Sequence, residues 1–316
     1  MKIASLIASS TEIACALGLE KNLVARSHEC DFPLSVRKLP QVTRPRFAVE
    51  GTSREIDERV KKSVLETPAD QAVSIYEIDR KVLQSLEPDV ILTQSQCEVC
   101  AVSLSEVEAA VAGWLGKKPR LVSLQPNALA DIWLDIKKVA EATGVTQQGE
   151  RLITSLKGRM SGAAKVGKIL SQKRGAPLKV ACIEWIDPLM AAGNWMPEHV
   201  EMAGGINLFG EAGKHSPWMT LDQLSEKDPD VIIVMPCGFD LRKTAEEFPT
   251  LQKQEKWNSL RAVQENHVYL ADGNQYFNRP GPRVTEALEI LLEILYPGKV
   301  DAGHEGTGWC KVPGRL

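Results

Sequence analysis

The chain has 316 residues, of which 43% are hydrophobic and 25% are charged, and its formal net charge at pH 7 is −3. This length exceeds that of a typical single hydrophobic core, so about two domains are expected. The slightly acidic balance argues against a nucleic-acid partner, and no apolar stretch approaches the roughly 20 residues that a membrane-spanning helix needs.

The amino-terminal segment predicts a strand at about residues 3–7 and a helix at about residues 12–17, with Thr11 as the N-cap. Its apolar part is too short for a signal peptide, which favours a cytoplasmic protein, or a periplasmic one if an export segment has been removed. The seven cysteines are an odd number in a long chain, so reduced thiols are expected rather than a disulfide framework.

Further strands are predicted at about residues 23–26, 90–93 and 121–124, and helices at about 103–115 and 128–143. Alternation of this kind specifies a parallel sheet that is covered by helices. The segment at 35–75 is expected to be irregular, because Pro40, Pro45 and Pro68 interrupt any long element there.

A proline-free amphipathic stretch at residues 147–173 predicts one long helix, which ends before Gly175 and Pro177. A second alternating set follows, with strands near Val180, Val231 and Val268 and a final helix at about 283–295. The predicted fold class is therefore α/β, with two Rossmann-like lobes of parallel sheet that the long helix joins. The expected domains are an N-terminal lobe at 1–145, the connecting helix at 146–174, a C-terminal lobe at 175–296 and a glycine-rich tail at 297–316.

Chemically capable side chains follow the predicted strands of the first lobe, at the edge where open α/β sheets bind ligands. Cys97 and Cys100 have the Cys-x-x-Cys spacing of half a zinc site or of a redox pair, and the start of the next helix favours thiolates. The run His28-Glu29-Cys30-Asp31 follows the second strand and is a candidate extension of such a site, since imidazole and thiolate suit zinc, iron or cobalt. In the alternative interpretation, the cysteines only pack the loops, and Glu29 and Asp31 cap backbone amides.

The second lobe carries aromatic and amide groups at the equivalent edge. Trp185, Trp195 and Trp218 stand in or beside loops, and broad flat rings next to Glu184 and Asn194 suit a large planar ligand. In the alternative interpretation, each tryptophan is a core residue.

Two more loops of the second lobe are candidate binding segments. A neutral imidazole at His215 can approach a metal centre, although an exposed loop histidine is the commoner outcome. The prolines and glycines at 272–283 predict a rigid loop that presents amide, aromatic and guanidinium groups. The motifs of nucleotide-binding loops and serine hydrolases are absent, which disfavours hydride transfer, nucleotide hydrolysis and serine hydrolysis.

Three motifs carry a resemblance to a known family. The family's opening strand and helix resemble Ile3-Ala-Ser-Leu-Ile-Ala-Ser-Ser-Thr-Glu-Ile13, and its motif that leads into a strand resembles both Leu86-Glu-Pro-Asp-Val-Ile-Leu92 and Leu224-Ser-Glu-Lys-Asp-Pro-Asp-Val-Ile-Ile233. Over nearly its whole length, the chain resembles the cobalamin-binding branch of the ABC-transporter substrate-binding proteins, which are helical-backbone (class III) periplasmic binding proteins. These motifs are shared with binders of iron-siderophores, haem and metal ions.

The resemblance implies a ligand cleft between the two lobes, an exported or lipid-anchored location, and docking on an ABC permease through acidic residues. The leading hypothesis is a binding protein without catalysis that holds a cobalamin, a related corrinoid or another metal-containing macrocycle. Tryptophan and tyrosine rings are expected to contact the ring faces, amide and guanidinium groups the side arms, and an imidazole or thiol the metal. The expected ligand contacts are Glu12, His28, Glu29, Cys97, Glu184, Trp185, Asn194, Trp195, His215, Trp218, Phe239, Asn274, Tyr276, Phe277 and Arg279.

Two alternatives use the cysteines differently. The first is a cytoplasmic zinc, iron or iron–sulfur site protein, in which His28 also contributes. Its expected metal ligands are Cys30, Cys97, Cys100 and Cys237. The second is a thiol-dependent enzyme with Cys97 or Cys100 as nucleophile and Glu184 or His28 as base.

Overall fold

The structure is a computed structural model, and it describes residues 1–66, 76–95, 104–114 and 118–312. The chain divides into two compact units. Unit 1 consists of Met1–Gly51, Glu55–Pro126 and Ala130–Ser155. Unit 2 consists of Thr52–Arg54, Asn127–Leu129 and Leu156–Leu316.

Unit 1 is built on a parallel sheet. The strands of unit 1 are β1 (Ile3–Ser5), β2 (Leu23–Arg26), β3 (Thr43–Pro45), β4 (Tyr76–Ile78), β5 (Val90–Gln94) and β6 (Arg120–Leu124). The parallel sheet has the order β2-β1-β5-β6, and β3 pairs with β4 in a separate antiparallel sheet. The helices in this part of the chain are α1 (Ala8–Ala16), α2 (Ser53–Glu66), α3 (Arg80–Leu86), α4 (Leu104–Val111) and α5 (Leu129–Ala142).

The long helix α6 (Thr146–Arg174) confirms the prediction of a single helix between the two sets of strands. Its first turns belong to unit 1 and the rest, from Leu156, to unit 2. Leu156 and Met160 are buried, whereas most of its polar side chains are exposed, as expected for an amphipathic helix.

Unit 2 is built on a mixed sheet. Its strands are β7 (Lys179–Trp185), β8 (Met190–Ala191), β9 (Ile206–Asn207), β10 (Val231–Val234), β11 (Val268–Ala271) and β12 (Trp309–Lys311). The order is β12-β11-β10-β7-β8, and β9 also pairs with β7. Strands β7, β9, β10 and β11 run parallel, whereas β8 and β12 are antiparallel to their neighbours.

Helices flank this sheet. They are α7 (Met196–Met202), α8 (Leu221–Lys227), α9 (Leu241–Glu247), α10 (Pro249–Gln252), α11 (Glu255–Asn258), α12 (Arg261–Gln264) and α13 (Val284–Leu295). Every residue of β10 and of β11 is buried, which explains their continuous apolar sequences, because strands covered on both faces have no solvent-facing positions. These observations confirm the predicted α/β fold.

Three segments of the chain differ from the sequence-based expectations. Helix α1 begins at Ala8 rather than near residue 12, so Thr11 is not its N-cap. The Thr11 hydroxyl oxygen instead lies within hydrogen-bond distance of Ser5 Oγ, at 2.7 Å, and of Cys30 Sγ, at 2.9 Å. Buried small polar residues therefore lie within the length of this helix. Their hydroxyl groups hydrogen-bond to one another rather than cap the first turn.

The segment expected to be irregular contains β3 and the 14-residue helix α2. Pro45 is the last residue of β3, and Pro68 follows α2, so these prolines flank the helix instead of interrupting it. The carboxyl-terminal segment contributes β12, which pairs with β11. A strand of three residues is too short to show a hydrophobic period. Within the described ranges, no helix is long and apolar enough to cross a membrane.

Candidate functional site

The carboxyl ends of β7, β10 and β11 carry several of the predicted ligand contacts. Because these strands are parallel and adjacent, the residues that follow them share one edge of the sheet, which we call the carboxyl edge of unit 2. Glu184 and Trp185 end β7, Phe239 lies in the loop after β10, and Asn274 follows β11.

An aromatic pair stands at this edge. The ring centroids of Trp185 and Phe239 are 5.4 Å apart with an angle of 54° between the planes. Phe239 is 5% exposed, whereas Trp185 is partly exposed. The Phe239 carbonyl accepts a hydrogen bond from the backbone N–H of Asn274 at 3.0 Å, so the loop after β10 and the turn after β11 are in contact at this edge.

The chain after β11 forms a π-helical turn at Gly273–Phe277. The Asp272 carboxylate accepts the backbone N–H of Gln275 at 2.7 Å, and the Asn278 side chain donates to the Met235 carbonyl at 3.2 Å. A Cβ atom on Gly273 would overlap the Pro236 carbonyl oxygen, so the close approach of the two loops requires glycine. Single π-helical turns are frequent at functional sites.

Two buried guanidinium groups hold the side chains of the turn. Arg279 is 4% exposed and donates from Nη2 to the Asn274 Oδ1 atom at 2.9 Å. Arg283 donates to the Gln275 Oε1 atom at 2.9 Å, and its guanidinium carbon lies 5.3 Å from the centroid of the Tyr276 ring. Arg279 therefore orients the Asn274 amide.

Glu184 is connected to the loop of His215 and Trp218 through Ser216, a residue that the sequence does not predict as a contact. Its carboxylate is 8% exposed and accepts the Ser216 hydroxyl at 2.9 Å, while the Ser216 oxygen accepts the backbone N–H of Gly193 at 3.1 Å. Asn194 has a φ of 52°, in the left-handed region that is unusual for residues other than glycine and frequent at ligand sites. No sequence signal marks Ser216, because only its distance from Glu184 reveals the contact.

The other predicted contacts of unit 2 differ in exposure. Trp195 is 5% exposed and Phe277 is fully buried, which places both side chains in the packed interior. Trp218 is 57% exposed. His215 is exposed, and its Nδ1 atom lies 3.0 Å from the Ser216 carbonyl oxygen. Because a carbonyl oxygen only accepts, Nδ1 carries the proton, and in the neutral ring Nε2 carries the lone pair.

Unit 1 brings His28 and Glu29 together after β2. The His28 and Tyr76 ring centroids are 4.9 Å apart, and the Tyr76 hydroxyl donates to Glu29 Oε1 at 3.3 Å. The His28 Nδ1 atom lies 2.8 Å from the Thr43 hydroxyl. Burial, together with the charge of Arg26, lowers the pKa of His28 to about 4, so this imidazole is neutral at pH 7.

Two of the four predicted metal ligands, Cys30 and Cys237, lie among the described residues. Cys30 is 1% exposed, and burial raises the pKa of its thiol, which does not favour a thiolate ligand. Cys237 belongs to unit 2, whereas Cys97 and Cys100 lie outside the described residues. Within the described ranges, no group of three or more His, Cys, Asp or Glu side chains is arranged to hold a metal ion. Glu12 is 4% exposed and lies within α1.

Asp272 provides a test of the electrostatics of this edge. Burial raises the pKa of its carboxyl group to about 6, and Asp240 adds to the shift. A carboxyl group with a raised folded-state pKa contributes stability below about pH 3.8 that is lost as the pH rises through about 6. Replacing Asp272 by Asn keeps an oxygen acceptor for the Gln275 amide and removes the buried charge.

We therefore expect Asp272→Asn to raise the free energy of unfolding by roughly 1–2 kcal/mol at about pH 8 and to change it little at about pH 4. Denaturant unfolding at both pH values measures the effect, and Glu226→Gln, at an exposed carboxylate, is the control. Destabilisation at pH 8 would show that the ionised Asp272 stabilises the turn.

Comparisons with known proteins agree on one class. The family described as periplasmic binding protein matches residues 3–274. The chain is 23% identical over 299 residues to the uncharacterized ABC transporter substrate-binding lipoprotein YvrC of Bacillus subtilis strain 168, covering 94% of this chain and 80% of that protein. It is 22% identical over 310 residues to the vitamin B12-binding protein of Photorhabdus laumondii subsp. laumondii, covering 93% and 88%.

A solved structure shares the fold. The crystal structure of a periplasmic heme-binding protein from Pseudomonas aeruginosa has a TM-score of 0.72 and 18% sequence identity, covering 100% of this chain and 99% of that chain. At this identity the likeness concerns the fold alone.

Proposed function

The chain belongs to the periplasmic binding protein family, and on that basis we propose that it is the substrate-binding protein of an ABC-type uptake system whose ligand is a cobalamin or a related corrinoid. It binds and releases this ligand unchanged. Its proposed location is outside the cytoplasm, which is the second of the two locations considered from the sequence; the similarity to a substrate-binding lipoprotein supports it. Its partner is an ABC permease.

One observation carries the ligand assignment. At the carboxyl edge of unit 2, Phe239 of the Trp185–Phe239 pair bonds through its backbone to Asn274, whose side-chain amide Arg279 holds from a buried position. A corrin is a broad ring with amide side arms, so aromatic faces and a fixed amide suit it. The Arg279 guanidinium is already hydrogen-bonded to Asn274 at 2.9 Å. At this point of the edge, the ligand would therefore meet the Asn274 amide rather than the Arg279 cation.

In this proposal, Trp218 and Tyr276 add aromatic surface from unit 2. The Nε2 atom of His215 approaches the cobalt.

Haem is the second candidate. Its side arms are carboxylates, and one cation of the carboxyl edge suits them: the Lys243 ammonium, 5.2 Å from the centroid of the Phe239 ring. The fold shared with the heme-binding protein of Pseudomonas aeruginosa is compatible with this candidate.

Parallel titrations of the purified chain with cyanocobalamin and with haemin test the proposal. We expect saturable one-to-one heat and a change in the visible spectrum with the corrinoid, and weaker or unsaturable binding of haemin. No signal with cyanocobalamin at high micromolar concentration would contradict the proposal. Stoichiometric zinc or iron after anaerobic purification would favour the cysteine-based alternatives.

A further inference from the structure

Helix α6 concentrates positive charge in a chain whose net charge is −3. Between residues 151 and 174 it has no Asp or Glu. The basic residues of this stretch are Arg151, Lys157, Arg159, Lys165, Lys168, Lys173 and Arg174. A helix that only faces water usually carries charges of both signs. The excess of basic residues on α6 therefore favours a negatively charged partner.

Part of this charge is neutralised within unit 2, and part is not. Arg159 pairs with Glu286 at 3.2 Å and with Glu289 at 2.6 Å. Lys165, Lys168 and Lys173 are exposed, and none of them forms an ion pair with the residues that the structure describes.

Apolar side chains are exposed among these lysines. Val166 is 41% exposed and Ile169 is 50% exposed, while Gly167 between them packs against the Ala203 backbone. We call Lys165, Val166, Lys168, Ile169 and Lys173 the basic face of α6. They span about 12 Å along the axis at roughly 1.5 Å per residue, so they act as one surface.

We propose that the basic face of α6 docks on a bilayer surface that carries anionic phospholipid headgroups. Ammonium groups pair with the phosphates, and Val166 and Ile169 enter the boundary between headgroups and acyl chains, which is the arrangement of interfacial helices. An anionic lipid surface contacts both the ammonium groups and the apolar side chains of this face. A nucleic acid would pair with the ammonium groups and leave Val166 and Ile169 exposed to water. This surface goes beyond the proposed function, and its test needs no corrinoid.

Sedimentation with lipid vesicles tests the proposal. The chain is expected to bind vesicles of phosphatidylglycerol and phosphatidylcholine in equal parts, and not vesicles of phosphatidylcholine alone. The triple variant Lys165→Gln, Lys168→Gln, Lys173→Gln is expected to lower the partition coefficient at least tenfold, since each basic residue near an anionic surface contributes to binding. The control Lys38→Gln, Lys253→Gln, Lys299→Gln changes net charge equally at exposed lysines elsewhere and is expected to bind like the parent chain.

A second variant separates lipid docking from general polyanion binding. Val166→Ser with Ile169→Ser keeps every charge and is expected to weaken vesicle binding severalfold while leaving heparin binding unchanged. Thermal unfolding of each variant shows whether it is folded. The proposal is overturned if the parent chain does not sediment with anionic vesicles, if both triple variants lose binding equally, or if the serine variant binds vesicles like the parent chain.

Discussion

Replacing Glu293 by Gln is expected to lower the free energy of unfolding by about 3 kcal/mol. The Glu293 carboxylate is 3% exposed and accepts hydrogen bonds from the Trp309 indole at 2.6 Å and from the backbone N–H groups of Ala302 and His304 at 2.5 and 3.3 Å. Glutamine offers one oxygen and one NH₂ group in place of two oxygens, so at least one of these donors would face another donor.

Denaturant unfolding at pH 7 measures this loss, and Glu226→Gln is the control. Because Glu226 is exposed, its substitution is expected to change stability by less than about 0.5 kcal/mol. Equal effects of the two substitutions would mean that Glu293 does not anchor the carboxyl-terminal segment. That segment includes β12, which pairs with β11 beside the proposed binding turn.

Trp185→Ala is expected to weaken corrinoid binding about a hundredfold. The partly exposed indole packs on Phe239, and its removal would take away a ring face and uncover the edge of a second ring. Isothermal titration with cyanocobalamin measures the change in Kd.

Trp185→Phe is the matched control, since it keeps a flat ring at the same position. We expect it to lose no more than about tenfold in affinity, because part of the aromatic contact remains. The role of the Trp185 ring is contradicted if the alanine and phenylalanine variants, both folded by circular dichroism, bind with the affinity of the parent chain.

The sequence predicts the fold best where one hydrophobic pattern determines an element. The apolar run that starts at Val231 becomes the buried strand β10, and the amphipathic stretch becomes α6. Prediction fails for β12, whose three residues gain their structure only by pairing with β11. It fails also at the start of α1, where buried hydroxyl groups satisfy one another and Thr11 gives a misleading signal.

The candidate site is predictable as an edge but not as a set of contacts. Residues that follow parallel strands meet at that edge whatever their packing, which is why the sequence can predict that Trp185, Phe239 and Asn274 lie there. Whether a side chain points outward depends on tertiary packing, and so the burial of Phe277 and Trp195 could not be read from the sequence. The same holds for Ser216, which is 32 residues from Glu184 along the chain.

The most direct test of the proposed function is a crystal structure of the chain grown with cyanocobalamin. We expect difference density for one corrin ring against Trp185 and Phe239, with a side arm bonded to the Asn274 amide. Density at an unrelated surface, or crystals that exclude the corrinoid at saturating concentration, would contradict the account.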